Sequence, residues 1–207
     1  MTGTPGSGAH RIFVAGATGV IGVRLVPLLV AAGHTVAGMT RTPGKASSLR
    51  ALGAEPVVCD VYDAGALSEA VAAFAPDTII HQLTDLPDDV RLLPERRSAN
   101  ARIRREGTHN LLAAARAASA RRFLAQSVAW PMTGDGGDAV REHESAVLQA
   151  GGVVLRYGQF YGPGTYHDGA LPPAPRIHVD DAARRTLEAL GAPSGIVTIV
   201  EEEAGPA

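Results

Sequence analysis

The stretch RIFVAGATGVIG, residues 11–22, decides the fold. Five residues of strand character run without a break into Gly16, Gly19 and Gly22, three glycines spaced three apart, and a helical pattern follows. Each glycine has its own use in such a passage. Gly16 permits a tight turn, Gly19 lets the backbone approach a pyrophosphate, and Gly22 lets the helix pack hard on the strand. The free N–H groups at the helix start, with the positive end of its dipole, then face the phosphates. The pattern predicts a dinucleotide site; a purely structural strand-to-helix turn is the alternative.

Outward from this turn, strand-like and helix-like segments alternate. Apolar or β-branched runs occur at 11–15, 35–39, 55–59, 78–83, 122–127, 152–157 and 195–200. Ala/Leu-rich stretches of helical spacing lie at 20–32, 44–52, 64–74, 95–119, 138–150 and 180–190. Strands apolar on both faces, each followed by a helix, predict an α/β fold: a Rossmann-like, doubly wound parallel sheet of seven or so strands. Ligands are expected outside the carboxyl ends of its strands. Two stretches read as loops, 131–138 and 162–175.

Composition bounds the function. The 207 residues make one domain, 11–207, after a tail at 1–10 with no basic or apolar segment of a signal peptide. A net charge of −2 gives no reason to expect nucleic acid, and no apolar run is long enough for a membrane span. Cys59 is the sole cysteine, which fits a reducing cytoplasm, and the seven histidines lack metal-ligand spacing, so no metal is expected. A small-molecule substrate is the expected partner.

The choice of dinucleotide rests on the end of the second strand. NAD sites usually place an acid there; this chain has Thr40 and Arg41, with Lys45 close behind. An arginine there pairs with a 2′-phosphate, so NADP is expected over NAD, the alternative being an ordinary solvated charge. Asp60, past the third strand, is placed to accept from an adenine amino group or to cap a turn.

Six ordered motifs over about residues 11–200 resemble the extended short-chain dehydrogenase/reductase family, also called the NAD-dependent epimerase/dehydratase family. They are GATGVIG, CDVYD, ANARIRREGTHNLLAAARAA, QSVAW, LRYGQFYGPGT and RIHVDDAA. The resemblance implies that Gly16, Thr18, Gly19, Val20, Ile21, Gly22, Thr40, Arg41, Asp60, Val61, Gln82, Leu83, Thr84 and Ser127 line the cofactor. It puts Tyr157 beside the nicotinamide amide and gives Gln159 and His178 substrate contacts. It also implies a homodimer through the 95–119 and 138–150 helices, with Leu111, Leu112 and Ala115 as the candidate stripe.

Two departures stand out. The family's chemistry uses Tyr-x-x-x-Lys, in which the lysine lowers the tyrosine pKa. Lys45 is the only lysine in this chain, and no tyrosine stands four residues before it. Matching Glu144 to the family's downstream acid puts Gly136 and Val140 at the dyad positions. The second departure is length: little chain separates the Gly-Pro-Gly of 162–164 from the last helix, so the C-terminal substrate lobe is largely missing.

Candidates for chemistry remain. Ser127 ends the fifth strand, where an exposed hydroxyl would bind a substrate carbonyl; strand-end capping is the alternative. Tyr161 stands in for the missing acid, or packs under the 161–164 turn. His143 titrates in the useful range and, with Glu144, lies in the helix without the dyad or on its exposed face. His81 reads as a satisfied residue at a strand end, and His178 as orienting the last helix, with Asp180 or Asp181 as its cap. Three functions fit: an oxidoreductase, epimerase or dehydratase on a small substrate; a cofactor-holding sensor or partner protein without turnover; and a non-redox isomerase or cyclase.

Overall fold

The computed structural model describes residues 8–202. Its strands are β1 (Arg11–Ala15), β2 (Thr35–Thr40), β3 (Glu55–Val58), β4 (Thr78–His81), β5 (Arg122–Val128), β6 (Val153–Tyr157), β7 (Gln159–Tyr161), β8 (Arg176–His178) and β9 (Gly195–Ile199). Seven of them form one parallel sheet in the order β3-β2-β1-β4-β5-β6-β9, while β7 and β8 pair separately. The helices are α1 (Gly22–Ala31), α2 (Ala46–Ala51), α3 (Ala64–Phe74), α4 (Arg97–Arg102), α5 (Thr108–Ala117), α6 (Gly134–Gln149) and α7 (Val179–Glu188). This is the doubly wound α/β sheet expected from the alternation of patterns.

Side chains alternate across each strand, so β1 feeds two cores. Ile12 and Val14 pack with Leu25 and Leu29 of α1, Leu49 of α2 and Ala182 of α7. Phe13 and Ala15 pack on the other face with Leu67 and Val71 of α3, Leu111 of α5 and Val147 of α6. A strand buried on both faces has no polar side, which is why the stretch from Ile12 to Ala15 is uniformly apolar.

Four expectations are corrected. The helix read over 95–119 is broken: a π-helical turn, Ile103–Gly107, separates α4 from α5. Leu111 and Ala115 are buried against α3 and the sheet, and Leu112 packs on the same core, so this stripe is not an exposed dimer face. Helix α6 begins at Gly134, inside the stretch read as loop, because Gly137 presses on the preceding chain: a Cβ there would lie 2.3 Å from the Met132 carbonyl oxygen. Finally, His10 belongs to the fold. Its N–H donates to His34 Nδ1 and its ring meets Asp77, while residues 1–7 of the expected tail lie outside the described residues.

Between β7 and β8, residues 162–175 contain neither helix nor strand. Among their ties, the Tyr166 hydroxyl donates to the Pro87 carbonyl, Arg24 of α1 donates to the Pro163 carbonyl, and Arg176 donates to the Pro172 carbonyl. Arg24 also holds Asp180 of α7 at 2.7 Å and the Val20 carbonyl at 2.9 Å.

A Cβ on Gly22 would lie 2.4 Å from the Gly16 carbonyl oxygen and 2.5 Å from the Ala17 carbonyl carbon, both of them backbone atoms that cannot step aside. Gly22→Ala is therefore expected to destabilise the fold by about 1–3 kcal/mol. A shift in the urea midpoint checks this, and an unchanged midpoint contradicts the packing described.

Candidate functional site

The first half of the site is the turn from β1 to α1. Gly16 has φ +89°, and a Cβ on it would meet the Gln82 carbonyl carbon at 2.7 Å, so the turn lies directly on the chain leaving β4. Gly19 sits at the exposed apex, its N–H closing on the Gly16 carbonyl at 3.0 Å. Among the described residues, the N–H groups of Thr18, Val20 and Ile21 have no protein acceptor. Unpaired donors at a helix start are what a diphosphate requires. The turn therefore fits a dinucleotide.

Around it stand the other residues named from the sequence. Thr40, buried at the end of β2, accepts from the Thr18 hydroxyl at 3.3 Å. Arg41 is exposed and donates to Asp85 at 3.2 Å. Asp60 is exposed and accepts from the Tyr62 N–H at 3.0 Å, a turn role, while Asp63 caps α3. Val61 is buried in the core, and its carbonyl accepts from Asn110 at 3.0 Å. Beyond β4, Gln82 is buried, Leu83 half-buried and Thr84 exposed.

The second half lies at the carboxyl ends of β4, β5 and β6, under α5 and α6. Ser127 is 1% exposed, and its hydroxyl donates to Glu144 at 2.5 Å. Glu144 in turn is gripped by Arg156, Nε at 2.9 Å and Nη2 at 2.6 Å. Ser127 and Arg156 are register partners on neighbouring strands, so both reach the same face and the same carboxylate. Burial opposes the charge on Glu144, but the bonds from Arg156 and Ser127 outweigh it and hold the carboxyl below its ordinary value. The exposed hydroxyl expected at Ser127 is thus corrected: its proton is committed to a carboxylate.

His143 and Glu144, given an exposed face as one reading, are both buried. His143 forms part of a chain of hydrogen bonds whose direction can be assigned from its ends. The Leu83 N–H donates to His81 Nδ1 at 3.1 Å, which leaves the proton on His81 Nε2. That Nε2 faces the Thr108 hydroxyl at 3.1 Å, and Thr108 faces His143 Nδ1 at 2.7 Å. His143 Nε2 ends the chain by donating to the Gln126 carbonyl at 2.9 Å. Both rings are neutral in this arrangement. Burial lowers His81 well below its ordinary value, helped by the repulsion that a protonated His143, and Arg104, would exert, and burial with repulsion from Arg104 lowers His143 to about 4.

Arg104 lies in the π-helical turn. It is 4% exposed, and neither its Nε nor its Nη1 has a partner. Burial lowers its pKa, and attraction to Glu144 works against that shift. Sequence reading missed this residue, although the signal was there: Ala101, Arg104, Thr108, Leu111 and Ala115 are spaced three or four apart, so a helix that buries Leu111 also buries Arg104.

The remaining candidates are elsewhere. Tyr157 is not open to a nicotinamide amide: its ring is buried, and its hydroxyl accepts from Gln82 at 2.9 Å and meets Thr186 at 2.7 Å. Burial pushes its pKa up to about 12. The Tyr161 hydroxyl donates to Glu201, whose hydrogen bond raises the phenol pKa and takes it further from acid–base use. Gln159 donates to the Pro173 carbonyl at 3.0 Å. His178 itself caps α7, accepting from the Asp180 N–H at 3.3 Å; Asp180 and Asp181 are instead paired with Arg24 and Arg184. Among the described residues no group of His, Cys, Asp and Glu is arranged to hold a metal, and no helix is long and apolar enough to cross a membrane.

Sheet order, turn and strand-end residues together define an NAD-binding α/β fold. The chain belongs to the NAD dependent epimerase/dehydratase family, whose model matches residues 12–150. It is 37% identical to a 3-diazoavenalumate denitrifying reductase of a Streptomyces species, over 95% of this chain and 78% of that protein. That alignment spans 244 residues against 207 in this chain, so the relative carries segments that this chain skips. Solved structures share the fold. The UDP-glucose 4-epimerase of Thermus thermophilus, complexed with NAD, gives a TM-score of 0.76 at 20% identity over 93% of this chain and 78% of its own. The Bordetella bronchiseptica enzyme WbmH, complexed with NAD+, gives a TM-score of 0.73 at 17% identity over 93% of this chain and 75% of its own.

The neutral His143 gives the fold a pH dependence. Its folded pKa of about 4 lies below the unfolded value of 6.5, so the unfolded chain binds more protons between the two. Stability is therefore expected to fall as pH drops from 6.5 towards 4, by an amount on the order of 3 kcal/mol for this group. Urea midpoints across that range check it, with His143→Gln flattening the slope. Arg104→Met removes a like charge and should raise the His143 pKa, read by NMR titration of the ring.

Proposed function

We propose that the protein is a nicotinamide-dependent reductase that removes a diazo group from an aromatic substrate and leaves hydrogen in its place. The observation that carries this reading is the state of the protons at the site. A reductase acting on a carbonyl must deliver a proton to the oxygen as well as hydride to the carbon. Here the Ser127 proton is held by Glu144 and the Tyr161 proton by Glu201. Tyr157 is buried, the ring protons of His81 and His143 lie in a closed chain, and Lys45 is exposed beside α2.

An aryl diazonium ion makes no such demand. Bound reduced nicotinamide supplies one hydride; the C–N bond breaks as the C–H bond forms, dinitrogen leaves, the nicotinamide is oxidised and no proton is consumed. The Streptomyces relative, named for a diazo substrate and for denitrifying it, supports the same class of reaction.

On this reading the N–H groups of Thr18, Val20 and Ile21 bind the diphosphate, and Gly16, Gly19 and Gly22 let it approach. Asp60 and Val61 border the adenine, and Gln82, Leu83 and Thr84 follow the reacting half along the end of β4. Thr40 and Arg41 stand at the adenine ribose. The Arg41 guanidinium is itself exposed, held only by one bond of 3.2 Å to the buried Asp85, and can turn to a 2′-phosphate, which favours NADP.

Two measurements test this. With NADPH deuterated at the transferable position and 4-carboxybenzenediazonium, the protein should form benzoate carrying deuterium at the para carbon, faster than a protein-free control and with one NADPH oxidised per dinitrogen. Oxidation that leaves no deuterium in the arene, or turnover confined to carbonyl compounds, overturns the assignment. Arg41→Ala should weaken NADPH about tenfold or more while leaving NADH nearly unchanged; equal loss of both removes Arg41 from cofactor choice.

A further inference from the structure

Beside the strand ends, α6 and the segment that follows β5 enclose a hollow of about 380 Å³, within the range of small-molecule sites. The dyad position occupied by Val140 is in its wall, and Gly137 is on the same side. The hollow thus lies where a lysine-bearing α6 would fill space. Trp130 and Met132 add apolar surface to the lining, and Glu144 and Arg156 also line it.

We propose that this hollow is the substrate subsite, and that it takes an aromatic ring carrying an anionic oxygen: Trp130 supplies the stacking face and Arg156 the positive partner. Three observations carry the assignment. Trp130 is half-buried, leaving part of its indole open to the cavity, and a flat π surface favours another ring in offset or edge contact. Arg156 uses Nε and Nη2 on Glu144, which leaves Nη1 without a bond among the described residues, on a side chain 39% exposed. The charges do not balance: Glu144 faces Arg156 in contact and Arg104 through space, and Arg104 has no other acceptor, while Arg141 at the rim is held by Asp138. One carboxylate against two guanidinium groups leaves a surplus positive charge beside the cavity, and an anionic oxygen offsets it.

The identity of the reacting group rests on the reading in the preceding subsection; the subsite itself does not. An aromatic ring whose oxyanion points to Arg156 is fixed at two places, so its orientation no longer depends on a tyrosine hydroxyl.

Trp130 is the only tryptophan of the chain, so its fluorescence reports on this cavity alone. Added to the NADP-loaded protein, 3-phenylpropanoate should quench it saturably, while its methyl ester should bind about tenfold or more weakly, having lost the charge-assisted bond. Arg156→Met should bring acid and ester to similar affinities, and Val140→Phe, which fills the hollow, should abolish quenching by both. Unchanged NADPH binding shows each variant to be folded. Equal binding of acid and ester by the unaltered protein, or quenching that survives Val140→Phe, overturns the subsite. Ligand binding without diazonium turnover refutes the reaction and keeps the subsite; turnover without ligand binding does the reverse.

Discussion

The structure is built around a place where backbone touches backbone. Gly16 rests on the Gln82 carbonyl, and Gly22 rests on Gly16 and Ala17, at separations no Cβ survives. These contacts fix the height of the first turn above the sheet and the direction in which α1 leaves it. They fall between β1 and β4, where the strand order reverses from β3-β2-β1 to β4-β5-β6 and where crossover helices diverge to leave a crevice. Phosphate donors and the strand ends that surround a reacting group are therefore set from one common point, and neither can shift without the other.

Around that scaffold lies a paired polar interior: the Glu144 carboxylate takes three hydrogen bonds, two from Arg156 and one from Ser127. Two histidines share the floor by staying neutral, each nitrogen matched to a donor or acceptor. Burial enforces that neutrality first, and the nearby Arg104 guanidinium adds to it by repelling a second positive charge. The result is a site poor in transferable protons, with each candidate proton already committed to an acceptor.

The strands, their parallel order and the phosphate turn were legible in the sequence because each depends on local periodicity or on glycines a few residues apart. The polar floor was not. Ser127 meets Glu144 from 17 residues away and Glu144 meets Arg156 from 12, pairings that only the crossover from β5 through α6 to β6 creates. Composition hid the start of α6, since a run of glycines argues against a helix until the close approach at Met132 is known. Tyr157 differs for another reason: the resemblance implies a place beside the nicotinamide amide, whereas its ring lies in the core shared with α7. Arg104 was missed because charge argues for solvent, although helical spacing marks it as interior.

The side chains that fasten the segment joining β7 to β8 end on carbonyl oxygens: Tyr166 on Pro87, Arg24 on Pro163, Gln159 on Pro173 and Arg176 on Pro172. A carbonyl belongs to whatever residue occupies the position. Substitution at those four prolines therefore leaves every acceptor in place, and the hold on the segment is decided by the four donors.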